Sequence, residues 1–387
     1  MPYGGNGWPA LTQEPTLEPE MPICDAHHHF WDLRSERIPY PRYLLHELLA
    51  DVNCGHNVRS TVFIEARAMY RPDGPVELRP VGEVEFVQGL AAASASGLYG
   101  PCRAAVAIVG HANLNLGDRV QSVLEALQAA SPNRFRGIRH IVTWDPHPEI
   151  GNREQEGVLA SAAFRAGAHV LARMGLSLDT GLCFPQSPEL AAFAKAVPDL
   201  SIILNHLGGL HRVGPYGNRD DEVLPIWRRG VAVAQCPNVY LKLGGIGMPR
   251  FGFDWHTRNT PIGSEELATS MAPFMTYCIE QFGPDRCCSK ATSRRIRCHS
   301  PTTFCSTPSN GFPRGTRPPS ARPCSMIRRF GHTGSVTFNG ATTVMTTDRT
   351  RPSRDGSGGG RSVSDDQGAF QRGHPLRLRP PSGHALR

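Results

Sequence analysis

The chain has 387 residues, of which 40% are hydrophobic and 19% are charged, and its formal net charge at neutral pH is +7. The charge is unevenly divided, because residues 289–387 contain 17 Lys and Arg against four Asp, whereas residues 1–288 contain 24 basic and 30 acidic side chains. No stretch has the apolar length of a membrane span, and the N-terminus lacks the basic and then apolar pattern of a signal peptide. These features argue against a membrane protein and predict a cytoplasmic one.

We predict three segments from the composition. Residues 1–20 are rich in Gly, Pro and Glu and are predicted to be disordered, whereas residues 21–288 are long enough to form one domain with a large core. Residues 289–387 form a basic, low-complexity tail that is predicted to be disordered. The 11 cysteines show no CxxC motif or regular spacing, so we expect reduced thiols.

Seven short apolar runs predict β-strands within the central segment. In chain order they are 22–29, 58–66, 102–109, 135–142, 175–180, 200–206 and 239–244. Helical periodicity lies between them, for example at positions 120, 123, 124 and 127. Ser187-Pro188-Glu189 and Ser264 provide helix-start signals.

This alternation of strands and helices, with an eighth strand expected to begin at Cys287, predicts a (β/α)8 TIM barrel. A doubly wound parallel sheet is the alternative. A barrel places the active site at the carboxyl ends of the strands.

Histidines follow two of the predicted strands. In Asp25-Ala26-His27-His28-His29, the two-residue period of a strand places His27 and His29 on one face and His28 on the other. Two adjacent imidazoles suit a divalent metal such as zinc. His206 follows the sixth apolar run, where a third ligand would lie. The alternatives are incidental histidines at a polar strand end and, at position 206, a capped core histidine.

Charged side chains interrupt four other strands, at Glu65, Arg139, Asp179 and Lys242. Any one of them could be a solvated tip or part of a structural ion pair. Together they would converge at one barrel mouth, and convergent charge in a pocket indicates function. We therefore predict Asp179 and Glu65 as catalytic carboxylates, and Arg139 and Lys242 as contacts for an anionic substrate. His111, after the third strand, is either a loop residue or a substrate contact.

These residues lie in motifs that resemble the amidohydrolase-related branch of the amidohydrolase superfamily, over about residues 21–288. The motifs are Asp-x-His-x-His at 25–29, Phe-Arg-Gly-Ile-Arg at 135–139, Leu-Asp at 178–179, Leu-Asn-His-Leu-Gly at 204–208 and Tyr-Leu-Lys-Leu at 240–243. The resemblance implies a metal-dependent barrel hydrolase of the kind that includes sugar and pyrone-dicarboxylate lactonases and aromatic-pathway decarboxylases. It implies His27 and His29 as metal ligands, His206 as a further ligand or site residue, and Arg139 as a contact for a substrate carboxylate. Some lactonases of this branch work without metal.

The chain departs from this family at strand eight. Members follow Phe-Gly-Pro-Asp-Arg-Cys with a strand that ends in Ser-Asp or Ser-Asn before an aromatic residue and a proline; where it is Asp, that residue binds metal and acts as general base. Here Cys287 is followed by Cys-Ser-Lys-Ala-Thr-Ser-Arg, and no acid is present. The codons of these residues, read two nucleotides later, allow Leu-Phe-Glu-Ser-(Asn/Asp)-Phe-Pro. We therefore predict a frameshift that leaves strand and helix eight missing or disrupted.

The predicted function is hydrolysis of a small-molecule substrate, a carboxylate-bearing lactone or a related ring. The predicted cofactor is a divalent metal, zinc. We expect this form of the chain to have reduced activity or none. Three alternatives stay open. The first is a decarboxylase of the same family, and the second is a non-catalytic truncated product. The third is a barrel with a basic arm that binds nucleic acid, which the low aromatic content and lack of a recognisable module in the tail disfavour.

Overall fold

The computed structural model describes residues 11–33 and 41–289. Eight strands form one sheet in the order of the sequence, and each is parallel to the next. They are β1 (Ile23–His28), β2 (Val58–Ile64), β3 (Arg103–Gly110), β4 (Phe135–Arg139), β5 (Ser177–Thr180), β6 (Ile202–Leu204), β7 (Val239–Leu243) and β8 (Cys287–Ser289). The sheet forms a nearly closed barrel. This confirms the predicted TIM barrel, because a doubly wound sheet would not keep its strands in sequence order.

In the described part of the chain, one α-helix of eight or more residues follows each of the first seven strands. They are α1 (Leu45–Val52), α2 (Val81–Ala95), α3 (Val120–Ala130), α4 (Ala162–Arg173), α5 (Ser187–Ala196), α6 (Asp220–Gly230) and α7 (Ser264–Phe282). Helix α3 buries Val120, Val123, Leu124 and Leu127, as its periodicity predicts. Ser187 and Ser264 are the first residues of α5 and α7. Each helix therefore begins at its serine and not at the residue after it, as a serine N-cap would require. No helix in the described ranges is long and apolar enough to cross a membrane.

Strand β8 begins at Cys287, as predicted, and its register pairs Cys287 with Leu241 and Cys288 with Lys242. The described start of strand eight is therefore present and pairs with β7. The predicted loss of the rest of strand eight and of helix eight, and the predicted tail, lie outside the described residues.

The segment before β1 contacts the barrel near the start of α7. The Thr12 hydroxyl donates a hydrogen bond to Pro261 O, and the Glu14 carboxylate accepts one from Ser264 N at 3.0 Å. A carboxylate at a helix N-terminus satisfies an otherwise unpaired backbone N–H. The disorder predicted for residues 1–20 stays a prediction for residues 1–10, which the structure does not describe.

Candidate active site

A cavity of about 500 Å³ opens at the carboxyl ends of the strands. Loops that follow β1, β2, β4, β5, β6 and β7 contribute to its wall. Three of the predicted site residues line it, namely His29, Arg139 and His206. The barrel therefore brings residues that are more than 170 positions apart in sequence to one cavity, at the end of the fold where the sequence places a site.

The two predicted ligand histidines at the end of β1 face each other. His27 Nε2 and His29 Nε2 are 3.2 Å apart, and His29 Nδ1 is 2.8 Å from Ile64 O. Because a carbonyl only accepts hydrogen bonds, the His29 proton lies on Nδ1 and Nε2 carries a lone pair. His28 packs edge-on against Phe30 and Phe63, so the predicted alternation of faces is confirmed.

His206 lies beside His27, with 4.9 Å between their ring centroids. It begins the four-residue turn His206–Gly209 and has a left-handed backbone, with φ of 52°. Gly245, in the loop after β7, leaves room for this ring, because a Cβ at Gly245 would lie 2.5 Å from His206 Nδ1. The close approach, together with a φ of +78°, explains a glycine at this position.

The two histidine nitrogens are within hydrogen-bonding distance of each other, and their separation is also compatible with a shared metal. Zinc binds histidine nitrogens at about 2.0–2.1 Å in tetrahedral geometry, so two such nitrogens are about 3.3 Å apart. The 3.2 Å between His27 Nε2 and His29 Nε2 fits this value. Within the described ranges, no group of three or more His, Cys, Asp or Glu side chains meets the spacing of a complete metal site. The pair is thus the part of the predicted ligand set that converges.

Arg139 at the end of β4 is held by Glu65. Its Nε donates to Glu65 Oε1 at 2.8 Å, and its terminal nitrogen also contacts Glu65 O. Burial raises the pKa of Glu65, but the charge and hydrogen bond of Arg139 outweigh this and, with a smaller effect from His111 in its protonated form, hold the pKa below its ordinary value. His111 Nδ1 lies 2.9 Å from Arg139 O, and burial lowers the His111 pKa. Glu65 and His111 therefore support Arg139 from outside the cavity wall.

Asp179 and Lys242 form a buried ion pair between β5 and β7. Lys242 Nζ contacts Asp179 Oδ1, which also accepts a hydrogen bond from Asn205 Nδ2 at 3.1 Å. Each of the three residues is only 2% exposed. Neither Asp179 nor Lys242 lines the cavity described above. The catalytic role predicted for Asp179 and the substrate contact predicted for Lys242 stay predictions.

The comparisons with known proteins agree with this architecture. A sequence profile described as amidohydrolase matches residues 24–288, which is more than half of the chain. The chain belongs to the amidohydrolase family. An uncharacterised protein of Sinorhizobium fredii, y4mH, is 28% identical over 286 residues, covering 69% of this chain and 83% of the relative.

Two solved structures of an amidohydrolase from Burkholderia multivorans have the same fold as this amidohydrolase-family chain. The one with bound zinc is 20% identical, with a TM-score of 0.54 over 72% of this chain and 87% of that one. The one with bound HEPES is 21% identical, with a TM-score of 0.50 over 68% and 82% of the two chains. Family membership makes this chain a hydrolase-type enzyme, and the fold it shares is the barrel seen here.

Four titratable cavity residues were not expected from the sequence. They are Glu149 and Arg153 after β4, His211 after β6 and Arg250 after β7. Each lies in a loop several residues beyond the end of its strand, whereas the sequence signal covers only polar residues attached to apolar runs. Their position in loops at the catalytic end of a barrel is the one feature that could have indicated them.

A buried acid behind Glu65 completes the surroundings of the site. Glu83 on α2 is fully buried, and its Oε1 accepts hydrogen bonds from Ala66 N at 2.8 Å and Ala68 N at 2.9 Å. Its Oε2 has no hydrogen-bond partner among the described residues. Burial, followed by the charge of Glu65, raises the pKa of Glu83 to about 8. The side chain is thus neutral at pH 7 and holds the loop after β2.

We expect Glu83→Gln to flatten the pH dependence of stability. The pKa of Glu83 is higher in the folded state than in the unfolded state, so the protonated side chain stabilises the folded state. This stabilisation is fully present below about pH 4.5, the ordinary pKa, and is lost as the pH rises through about 8. The variant should therefore gain on the order of 3 kcal/mol in unfolding free energy, relative to wild type, between pH 5 and pH 8. Urea unfolding at the two pH values measures the difference. Glu85→Gln is the control, because Glu85 on the same helix is exposed and pairs with Arg71. Parallel stability curves for Glu83→Gln and wild type would contradict the prediction.

Proposed function

We propose that this enzyme is a metal-dependent hydrolase that opens a carboxylate-bearing lactone or a related ring, with His27 and His29 holding zinc and His206 beside them as a further ligand or site residue. The observation that carries the proposal is the pair of imidazole nitrogens, 3.2 Å apart, at the mouth of a barrel of the amidohydrolase family. The zinc bound in the Burkholderia structure agrees with it. A bound zinc would polarise the ring carbonyl or activate water.

The charge of the cavity supports an anionic substrate. Among the described residues that line it, three are arginines and one is acidic, namely Arg139, Arg153, Arg250 and Glu149. Positive charge in a cleft raises the local concentration of anions. Arg139 in addition has a fixed orientation, because Glu65 occupies its Nε. A guanidinium held in this way can bind a substrate carboxylate with little loss of side-chain entropy.

We propose supporting roles for the two predicted carboxylates. Glu65 orients Arg139, and Asp179 orients Lys242, since each carboxylate has a basic partner within contact distance. Removal of one member of a buried pair leaves the other charge uncompensated, at a cost of roughly 3–5 kcal/mol. Both buried ion pairs are therefore part of the proposed site.

Hydrolysis of a lactone panel tests the proposed function. The panel contains rings with and without a carboxylate, and it is applied to the printed chain and to a frame-restored chain that continues after Cys287 in the shifted frame. We expect the frame-restored chain to hydrolyse anionic lactones, to lose activity on dialysis against a chelator and to regain it with zinc. Full activity after metal removal would assign it to the metal-free lactonases. Release of carbon dioxide from an acid without a hydrolysable bond would favour a decarboxylase.

Arg139→Lys is expected to raise the KM for an anionic lactone by about tenfold in the frame-restored chain, or about 1.4 kcal/mol. Lysine keeps the charge but loses the planar fork that binds a carboxylate through two nitrogens. Steady-state kinetics on the carboxylate-bearing and neutral rings measure the effect. Arg136→Lys on the same strand is the matched control, because Arg136 donates to backbone oxygens of Phe135 and Asn133 instead. Unchanged kinetics for Arg139→Lys would make its role structural.

A further inference from the structure

We propose that His211 forms a hydrogen-bond-accepting subsite in the cavity, which selects anionic ligands that also carry a hydroxyl group. The inference rests on the proposed function in one respect, since it refines the class of molecule that the same cavity binds. It adds a residue that contributes to specificity through the lone pair of a neutral ring, in a cavity whose charged side chains are mainly cationic.

The hydrogen bonding of His211 determines where its proton lies. His211 Nδ1 is 2.8 Å from Gly209 O and 3.8 Å from the Cys183 sulfur. A backbone carbonyl accepts and cannot donate, so Nδ1 carries the hydrogen and Nε2 carries the lone pair of the neutral ring. The residue is 6% exposed and lines the cavity, and its Nε2 has no hydrogen-bond partner among the described residues. Nε2 is thus the atom left to meet a ligand.

The surroundings keep this imidazole neutral. Burial, and then the positive charge of Arg250, lower the pKa of His211 to about 4, although Gly209 O and the Asp145 carboxylate act in the opposite direction. At pH 7 the ring is therefore uncharged and accepts a hydrogen bond at Nε2. A group with such a low pKa is a weak base near neutrality, so the geometry favours recognition over proton abstraction.

Several contacts hold the ring in place. Gly209 has a φ of +69°, and a Cβ there would lie 1.8 Å from Leu182 O, so the carbonyl that receives Nδ1–H belongs to a closely packed turn. The Cys183 thiol donates to Asp145 Oδ2 at 3.4 Å, and the same oxygen accepts from Tyr216 OH at 2.7 Å. Asp145 thereby connects the loops after β4, β5 and β6. A preorganised acceptor binds its ligand at a lower entropic cost.

The chemistry of the subsite defines its ligand. The lone pair on Nε2 attracts an O–H donor and repels the oxygen of a carboxylate. Arg250 and Arg139, which line the same cavity, attract the carboxylate instead. A molecule that satisfies both features is an anion with a hydroxyl group, whereas an anion without one leaves the buried acceptor unpaired at a cost in affinity.

Calorimetric titration at pH 7 with a matched pair of acids tests the subsite. Malate and succinate are the probes, because they are both dicarboxylates and differ by one hydroxyl group. The full chain should bind malate about fivefold more tightly than succinate, the effect of one net hydrogen bond. His211→Leu should abolish this preference and bring the two affinities within about twofold of each other, because malate loses its acceptor and succinate no longer leaves one unpaired. His211→Gln, whose amide oxygen can accept, should keep part of the preference.

His147→Gln is the matched control, because His147 belongs to the same loop network through Asp145 but does not line the cavity. It should keep the full preference for malate. Equal affinities for malate and succinate in the wild-type chain, or no binding of either acid, would overturn the proposal. So would a preference that survives in His211→Leu. The readout is binding without turnover, so a failure of lactone hydrolysis leaves the subsite standing, and a failure of the subsite leaves the hydrolase proposal standing.

Discussion

Restoring the reading frame after Cys287 is expected to give the largest gain in activity that any single change to this chain can produce. Strand eight enters the barrel at Cys287 and pairs with β7, but its described part contains only Cys287–Ser289. In the shifted frame the strand continues as Leu-Phe-Glu-Ser-(Asn/Asp)-Phe-Pro and brings an acid or amide to the barrel mouth. At the corresponding positions of the sequence the chain has Ala291 and Thr292, and neither side chain is a general base at neutral pH.

If the restored residue is Asp, the frame-restored chain should hydrolyse an anionic lactone at least about 100-fold faster than the printed chain, the lower end of what a positioned general base contributes. It should also melt at a higher temperature, because a complete eighth strand contributes inward-facing side chains to the packed layers of the barrel interior. Initial rates on the lactone panel and thermal unfolding monitored by circular dichroism measure the two effects. A third chain that ends at Ser289 is the control. It lacks both the basic tail and the restored strand, so it shows whether a difference comes from removing the tail or from adding the strand.

If the printed and restored chains melt and turn over alike, the frameshift hypothesis is wrong. Residues 289–387 would then have to be regarded as an authentic part of the protein. If instead the chain that ends at Ser289 matches the restored chain, the tail itself is inhibitory, and the missing strand contributes nothing measurable. The three chains together therefore distinguish a lost strand from an added tail.

The order of strands and helices could be predicted because each strand carries a local signal. All seven predicted runs overlap a strand, but the run at 135–142 extends beyond β4, which ends at Arg139. The reason is visible in the backbone: His140 N still bonds to Asp179 O, and Val142 N to Gly181 O. After β4 ends, the backbone of residues 140–142 therefore continues to form hydrogen bonds to the neighbouring chain segment. A sequence pattern therefore reports burial here and overestimates strand length.

The histidine pair could be predicted because it depends on a period of two residues within one strand. The partners of the charged residues could not, because they come from different strands. Arg139 pairs with Glu65 across 74 positions and Lys242 with Asp179 across 63, and nothing in either local segment encodes the partner. The sequence indicates that charge converges at the mouth, whereas the division between buried pairs and cavity-facing groups is set by the packing of the barrel.

Among changes within the described barrel, replacement of His27 is expected to have the largest effect on metal binding. His27→Ala removes one of the two nitrogens that converge to 3.2 Å, and loss of even an outer-shell partner of a metal ligand typically costs 10–100-fold in affinity. We therefore expect zinc affinity to fall by more than about 100-fold, measured by competition with a chromogenic chelator. His28→Ala is the matched control on the same strand, because His28 packs against Phe30 and Phe63 on the opposite face. It should lower stability through lost packing yet retain zinc, since it leaves the His27–His29 pair in place. Equal zinc affinities in the two variants would show that the pair is not the metal site, and the family's metal-free chemistry would become the better account of the histidines.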